Sequence, residues 1–263
     1  MKYAQKYALI GNGFIAPKHI EGIKHTGGEL VAVCDIDEKK KIEGVPFFTD
    51  YREAIKEADA VALCTPNYLH PEMIRACVGK KILCEKPISF KLKDFEELKK
   101  VPDLFGNFQL RYLPNLGEIR ESARTANIVN LVVEMKRSKT YYETWKGDNA
   151  KTGGLLMNIG CHYFDLVGHL FGYEGFESIV HTLTDLKGEG TLKYKDVTVC
   201  WRIEFTEEKE SYQRTIAMNG KVFDLVQQEN LHLRTYEDFV WGHGIKPEEE
   251  EKIIKMIYDI QNL

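Results

Sequence analysis

The 263-residue chain contains no Cys-x-x-Cys pair, no apolar run of membrane-span length, no internal repeat and no low-complexity tract. Each absence excludes something. The six cysteines (34, 64, 77, 84, 161 and 200) are scattered, which removes zinc-ribbon and dithiol-redox signatures. Several lie in apolar runs, where cysteine packs as a small hydrophobe, so a reduced compartment is expected. Without an apolar segment of about 20 residues there is no candidate transmembrane helix. The opening MKYAQKYALIGNG has no extended apolar stretch and no small-residue cleavage site, so a cytoplasmic location is expected. Lys and Arg number 36 against 40 Asp and Glu, a net charge of −4. No polybasic surface for nucleic acid or membrane is expected. Hydrophobic residues at 43% and charged residues at 29% are the proportions of a globular protein with a real core.

What is present is an alternation of short apolar runs with amphipathic stretches. YALIG, ELVAVCD, AVALCTP and KILCEKP are rich in small and β-branched residues and predict buried parallel strands. Between them, APKHIEGIKHTGG, DYREAIKEA and HPEMIRACVGKK have helical spacing. DLFGNFQLRYLP closes the series as a strand followed by Pro114. After about Leu113 the texture changes. NIVNLVVEMK begins as a strand, and KTGGLLMNIGCHYFDLVGHLFG predicts one buried helix ending at Gly172. FESIVHTLTDL, GTLKYKDVTVCWRIEF, SYQRTIAMNG and KVFDLVQQ then alternate as antiparallel strands, with Asn219-Gly220 as a tight turn. KPEEEEKIIKMIYDI opens a last helix on carboxylates, which its dipole favours. The expected architecture is an α/β Rossmann domain over 1–112 and an α+β domain with an open, mainly antiparallel sheet over 113–263.

GNGFIA follows the first strand directly and sets Gly11, Gly13 and Ala16 in the G-x-G-x-x-G/A pattern, with Asn12, Phe14 and Ile15 between them. Gly11 permits the tight turn, Gly13 lets backbone approach a pyrophosphate, and Ala16 lets helix and strand pack closely. The second strand ends at Asp35, 24 residues after Gly11, where a ribose-binding acid belongs. Its carboxylate can accept both hydroxyls of an adenosine ribose and repels a 2′-phosphate. NAD is therefore expected over NADP, with Lys39, Lys40 and Lys41 nearby pulling the other way. CTPNYLH ends the next long strand on the same side of the sheet. Thr65, Pro66, Asn67 and His70 stand within reach of a cofactor there, His70 beginning the following helix. Helix capping by Asn67 and His70 is a reading compatible with that one.

With GNG at one end, EKP in CEKPIS and GGLLMNIGCHYFD beyond, the chain resembles the Gfo/Idh/MocA oxidoreductase family. CTPNYLH, QLRYLP, TWKGDNAKTGG and NIGCHYFD make it similar, within that family, to the UDP-N-acetylglucosaminuronate 3-dehydrogenases of surface-polysaccharide synthesis. The chain is shorter than that subgroup after Asp37 and near Lys100. The resemblance implies that Lys86 lies beside the hydride-transfer centre, where its ammonium bonds the reacting oxygen. It implies that Glu85 touches the cofactor ribose and that Pro87 stiffens the turn, through a cis bond in one version. His162 is the natural general base, since imidazole titrates near neutrality. Many relatives carry an Asp four residues earlier. Here that position is Asn158, suited to a polar group of the substrate, and either His162 or Lys86 is left to take the proton.

Trp145 and Lys146 resemble subgroup residues near nicotinamide and substrate. Gln109 and Arg111 suit cofactor contact and carboxylate recognition. A packing role is the alternative for all four. The resemblance also implies a homo-oligomer, dimer or tetramer, built on the exposed face of the second sheet. Three other readings compete with the UDP-uronate one. They are a family dehydrogenase of a free sugar or polyol, a non-catalytic NAD- or sugar-binding module, and a zinc hydrolase using His162, Asp165 and His169 on one helical face.

Overall fold

A computed structural model of the protein describes residues 4–137, 143–206, 212–226 and 230–261. Contacts divide the chain into two units, Met1–Phe108 with Asn230–Glu251 and Gln109–Glu229 with Lys252–Leu263. The expected 113–263 domain therefore differs from the observed second unit: residues 230–251 belong with the first.

In the first unit, β1 (Lys6–Ile10), β2 (Glu29–Cys34), β3 (Phe47–Phe48), β4 (Ala60–Leu63), β5 (Lys81–Glu85) and β6 (Leu104–Asn107) form one sheet. Their order is β3-β2-β1-β4-β5-β6, every pair parallel. This is the doubly wound arrangement, with its switch point at β1 and β4. Those two strands are covered on both faces. Tyr7, Ala8, Leu9 and Ala60–Leu63 are all fully buried, which accounts for their continuous apolar runs. β3 has only two residues, too few for a pattern to reveal it.

The residues that return do so through aromatic packing. Helix Leu231–Val240 places Tyr236 and Phe239 in a buried cluster with Tyr7, Ile23, Leu83 and Phe105. Helix Ala16–His25 comes so close that a Cβ on Gly22 would lie 2.2 Å from the Tyr236 ring. Further on, Gly106 N–H donates to the Ile245 carbonyl at 2.9 Å. Glu250, fully buried, accepts from the Ile88 amide at 2.6 Å.

The second unit holds β7 (Ile128–Lys136), β8 (Glu177–Leu183), β9 (Lys187–Lys193), β10 (Thr198–Thr206), β11 (Arg214–Met218) and β12 (Lys221–Asp224). They form an open sheet in the order β12-β11-β7-β10-β9-β8, antiparallel except for β7 with β10. Its buried face carries Leu131, Val133, Trp201, Ile203 and Ile216. Helix Cys161–Phe171 packs there, Phe164 meeting Trp201 edge-on at 5.4 Å.

The single helix expected before Gly172 is interrupted. A turn of helix, Asn149–Thr152, stops where Gly153 and Gly154 take φ of 77° and 82°, a region glycine enters at little cost. A π turn, Leu156–Gly160, then leads into Cys161–Phe171. The last helix is Pro247–Gln261, with Glu248, Glu249 and Glu250 in its first turn. No helix among the described residues is long and apolar enough to cross a membrane.

Candidate active site

Because the first sheet is parallel, its carboxyl ends share one edge. β1, β2, β4 and β5 finish there at Ile10, Cys34, Leu63 and Glu85. The expected first-unit site residues all lie at or just beyond these ends: Gly11 to Ile15, Asp35, Thr65 to His70, and Glu85 with Lys86. Ligands of open α/β sheets bind at this edge.

The β1 turn depends on its glycine. Gly11 has φ of 90°, and a Cβ there would lie 2.8 Å from the Cys64 carbonyl oxygen. Its own N–H donates to Cys34 O at 2.8 Å, tying the turn to the end of β2. A Cβ on Gly13 would meet nothing within 4 Å, so space lies open above the turn. Phe14 is exposed, and Ile15 precedes the ten-residue helix Ala16–His25, whose first turn holds no acidic residue.

Asp35 is fixed by two backbone donors, Asn12 N–H at 2.8 Å and Asp37 N–H at 3.0 Å. The two oxygens keep acceptor capacity for ribose hydroxyls. Of the neighbouring lysines, Lys40 Nζ donates to the Asn12 carbonyl at 3.2 Å and Lys41 pairs with Glu38 at 2.9 Å. An open glycine turn, a helix start without carboxylates and a fixed acid together fit NAD. Ile36 was missed in the sequence. It stands 94% exposed beside Asp35, an apolar surface where an adenine could rest. Asp35→Ser is expected to weaken NAD roughly tenfold or more and to reduce the preference over NADP. Titrating both cofactors into the apo protein reports this; tighter binding of NADP by the parent would overturn it.

Thr65 Oγ1 lies 3.3 Å from Met73 Sδ, Pro66 precedes a short turn at Asn67–Leu69, and Asn67 and His70 are buried. The Lys86–Pro87 bond is cis. Glu85 sits in an acceptor site that sequence spacing did not reveal. Its Oε1 accepts from Asn107 Nδ2 at 2.6 Å and from His19 Nε2 at 2.9 Å, with His232 Nε2 at 3.8 Å. Burial opposes charge on Glu85, yet the bonds and charge of the two histidines hold its carboxyl well below the ordinary range. Burial pushes the His19 pKa down. His19 Nδ1 lies 3.0 Å from Tyr236 OH, so both ring nitrogens are engaged.

His19, Glu85 and His232 are the group among the described residues close enough to share an ion, their ligand atoms within 4.8 Å of one another. A 2.9 Å bond already joins the His19 ring to the Glu85 carboxylate. The zinc set imagined on His162, Asp165 and His169 is engaged otherwise. Asp165 is held by Arg111 and Tyr173, and His169 by Arg120.

In the second unit, Gln109 is buried in the turn Gln109–Tyr112. Arg111 makes a bidentate pair with fully buried Asp165, at 2.8 Å from Nε and 2.7 Å from Nη2. Nη2 also donates to Tyr173 OH at 2.6 Å. Here the structure departs from the expectation that Arg111 awaits a substrate carboxylate: it already has one from the protein. Trp145 and Lys146 form the turn Trp145–Gly147, which Thr144 caps by accepting from Lys146 N–H at 3.3 Å. Lys146 and Asn158 line one shallow cleft with Asn149 and Asp185. Burial, then the charge of Arg137, lowers the Lys146 pKa. An anion in this cleft would relieve that. Asn158 lies in the π turn and His162, nearly buried, in the first turn of the following helix. π turns are frequent at functional sites.

Residues 5–104 match the oxidoreductase family's NAD-binding Rossmann fold, and residues 116–221 match its C-terminal alpha/beta domain. The chain belongs to the Gfo/Idh/MocA oxidoreductase family. It is 28% identical over 188 residues to glucose-6-phosphate 3-dehydrogenase of Bacillus subtilis, covering 64% of this chain and 54% of that protein. The chain thus spans about half the length of the curated relatives it matches. Among solved structures it is similar to the WlbA (WbpB) dehydrogenase of Thermus thermophilus in complex with NAD and UDP-GlcNAcA. That likeness has a TM-score of 0.85 and 29% identity, covering 96% of this chain and 93% of that one. The same dehydrogenase in complex with NAD and alpha-ketoglutarate gives 0.83 and 29%, covering 95% and 92%. For a Gfo/Idh/MocA chain, the parallel sheet with its NAD fingerprint and the mainly antiparallel second sheet are the expected parts.

Proposed function

We propose that this protein is an NAD-dependent dehydrogenase that oxidises the C3 hydroxyl of UDP-N-acetylglucosaminuronic acid, in cytoplasmic synthesis of surface polysaccharide. The observation that carries this is the likeness, over nearly the whole of both chains, to an enzyme solved with NAD and UDP-GlcNAcA. The cleft holding Lys146 and Asn158 adds support, offering a cation for the uronate and an amide for a sugar hydroxyl.

In this reading Gly11, Asn12, Gly13, Phe14, Ile15, Asp35, Thr65, Pro66, Asn67, Glu85, Gln109 and Trp145 hold the cofactor. Bound NAD supplies the hydride acceptor. Lys86 stabilises the substrate oxygen as carbonyl character develops, and His162 takes the hydroxyl proton. With Arg111 occupied by Asp165, the uronate passes to Lys146. The similarity to a complex with alpha-ketoglutarate supports a 2-oxo acid as the agent that reoxidises NADH. We further propose a homo-oligomer formed on the outer face of the second sheet, where His181, Thr191, Cys200 and Arg202 border a shallow depression.

Incubation with UDP-N-acetylglucosaminuronic acid should give a product lighter by two hydrogens, with NMR placing the ketone at C3. Neutral UDP-N-acetylglucosamine should turn over poorly. Oxidation of glucose 6-phosphate or free inositol, with none of the UDP-uronate, would keep the family and overturn the substrate. Native mass spectrometry of the same preparation reports subunit number.

A further inference from the structure

Two loops of the first unit, the one after β4 and the one after β5, are joined through a single buried side chain. His70 is 1% exposed. Its Nδ1 lies 2.8 Å from the Pro87 carbonyl oxygen and its Nε2 2.8 Å from the Thr65 carbonyl oxygen. Both are N–H···O distances. A peptide carbonyl accepts and never donates, so each contact requires a proton on the nitrogen facing it. Neutral imidazole has one such proton and imidazolium has two.

We propose that His70 is a positioning residue that clasps the Thr65 and Pro87 loops together as an imidazolium, and that loss of its proton releases one of them. In the neutral ring, one nitrogen lone pair would face a carbonyl lone pair at hydrogen-bond distance. That contact is repulsive in a buried site, and one loop must give. Thr65 begins the cofactor loop, and Pro87 directly follows Lys86, so one proton governs how both are held.

The charges acting on the ring are Glu85, which favours the cation, and Lys86, which opposes it. On the ring's own helix, His70–Ala76, Glu72 is taken up by Tyr51 and Arg52, and Arg75 by Glu97. Burial is the largest influence and lowers the pKa, while the two carbonyls raise it. The second contact exists only in the protonated, closed state, so closure and proton uptake are linked. The clasp closes on acidification and opens as pH rises.

The test uses the full chain, ¹⁵N-labelled and free of cofactor. Two-bond nitrogen–proton correlation reports both ring nitrogens of His70 from about pH 5 to 9, while the amides of Asn67 and Ile88 report the loops. The expected result is a ring with both nitrogens protonated at low pH, losing one proton in a step that the two amides follow with the same midpoint. A single neutral tautomer throughout, with both amides unmoved, overturns the proposal. Calorimetric titration with NAD adds an arm that rests on the cofactor reading above. The Kd should rise about tenfold across the step in the parent and stay flat in His70→Gln. If that variant does not fold, the titration of the parent decides alone. A nitrogen and amide step without any change in Kd would uphold the clasp and count against the assignment of these loops to NAD.

Discussion

Lys86→Ala is expected to leave NAD bound and to slow substrate oxidation by about a hundredfold or more. The size follows from how the side chain is supported. Lys86 stands between Glu85, held by Asn107 and His19, and Pro87, whose carbonyl meets His70. One residue further on, the Ile88 amide is fixed by buried Glu250. A charge mounted on backbone so constrained needs little reorganisation when an oxygen beside it gains negative character. Its removal should act on the transition state more than on the bound substrate, so kcat falls and KM changes little. The residues proposed for pyrophosphate and ribose are untouched, and calorimetry should show NAD affinity near that of the parent. Single-turnover absorbance of NADH gives the rate. A variant oxidising at close to the parent rate would return Lys86 to the status of a strand-end charge.

The second large effect is on stability. Arg111→Ala strands the Asp165 carboxylate, fully buried and otherwise reached by Tyr173, without its bidentate cation. Breaking one side of a buried pair costs about 3–5 kcal/mol. Replacing both partners at once, as Arg111→Met with Asp165→Leu, should cost much less, because no charge is then left in the core. Urea unfolding of the single and double variants measures the difference. The same experiment separates two roles for Arg111. A residue serving mainly a substrate carboxylate would raise KM for the uronate with the unfolding midpoint unchanged.

The fold was legible where local pattern and position agree. Buried parallel strands announced themselves as unbroken apolar runs, and the glycine turn with Asp35 at the end of the next strand marked the cofactor edge. The open sheet of the second unit was legible from alternation, and Asn219-Gly220 marked its tight turn. What escaped was whatever depends on a partner far along the chain. Leu231, His232, Thr235, Tyr236 and Phe239 repeat at helical spacing and are all buried. Periodicity gives a helix its face and says nothing about which core receives it, so the return of this segment to the first unit was not legible. Arg111 invited an anion, and nothing in QLRYLP indicates that the anion lies 54 residues later at Asp165. The break in the expected long helix was readable in principle, because Gly153-Gly154 is a poor helical pair. Glu85 looked like a ribose ligand alone, since His19 and Asn107 reach it only once the sheet is assembled.

The late return of Leu231–Val240 bears on how the chain acquires its fold during synthesis. A ribosome delivers β1 to β6 first, yet Tyr7, Ile23 and Phe105 keep an uncovered apolar surface until more than a hundred further residues have emerged. Closing so long a loop is slow compared with forming local contacts. The nascent nucleotide-binding half therefore passes through a stage with exposed apolar surface, the kind of species that aggregates or engages chaperones. Expression of the first 112 residues by themselves would make that stage permanent. The portion of this protein that matures earliest in sequence is completed almost last in time.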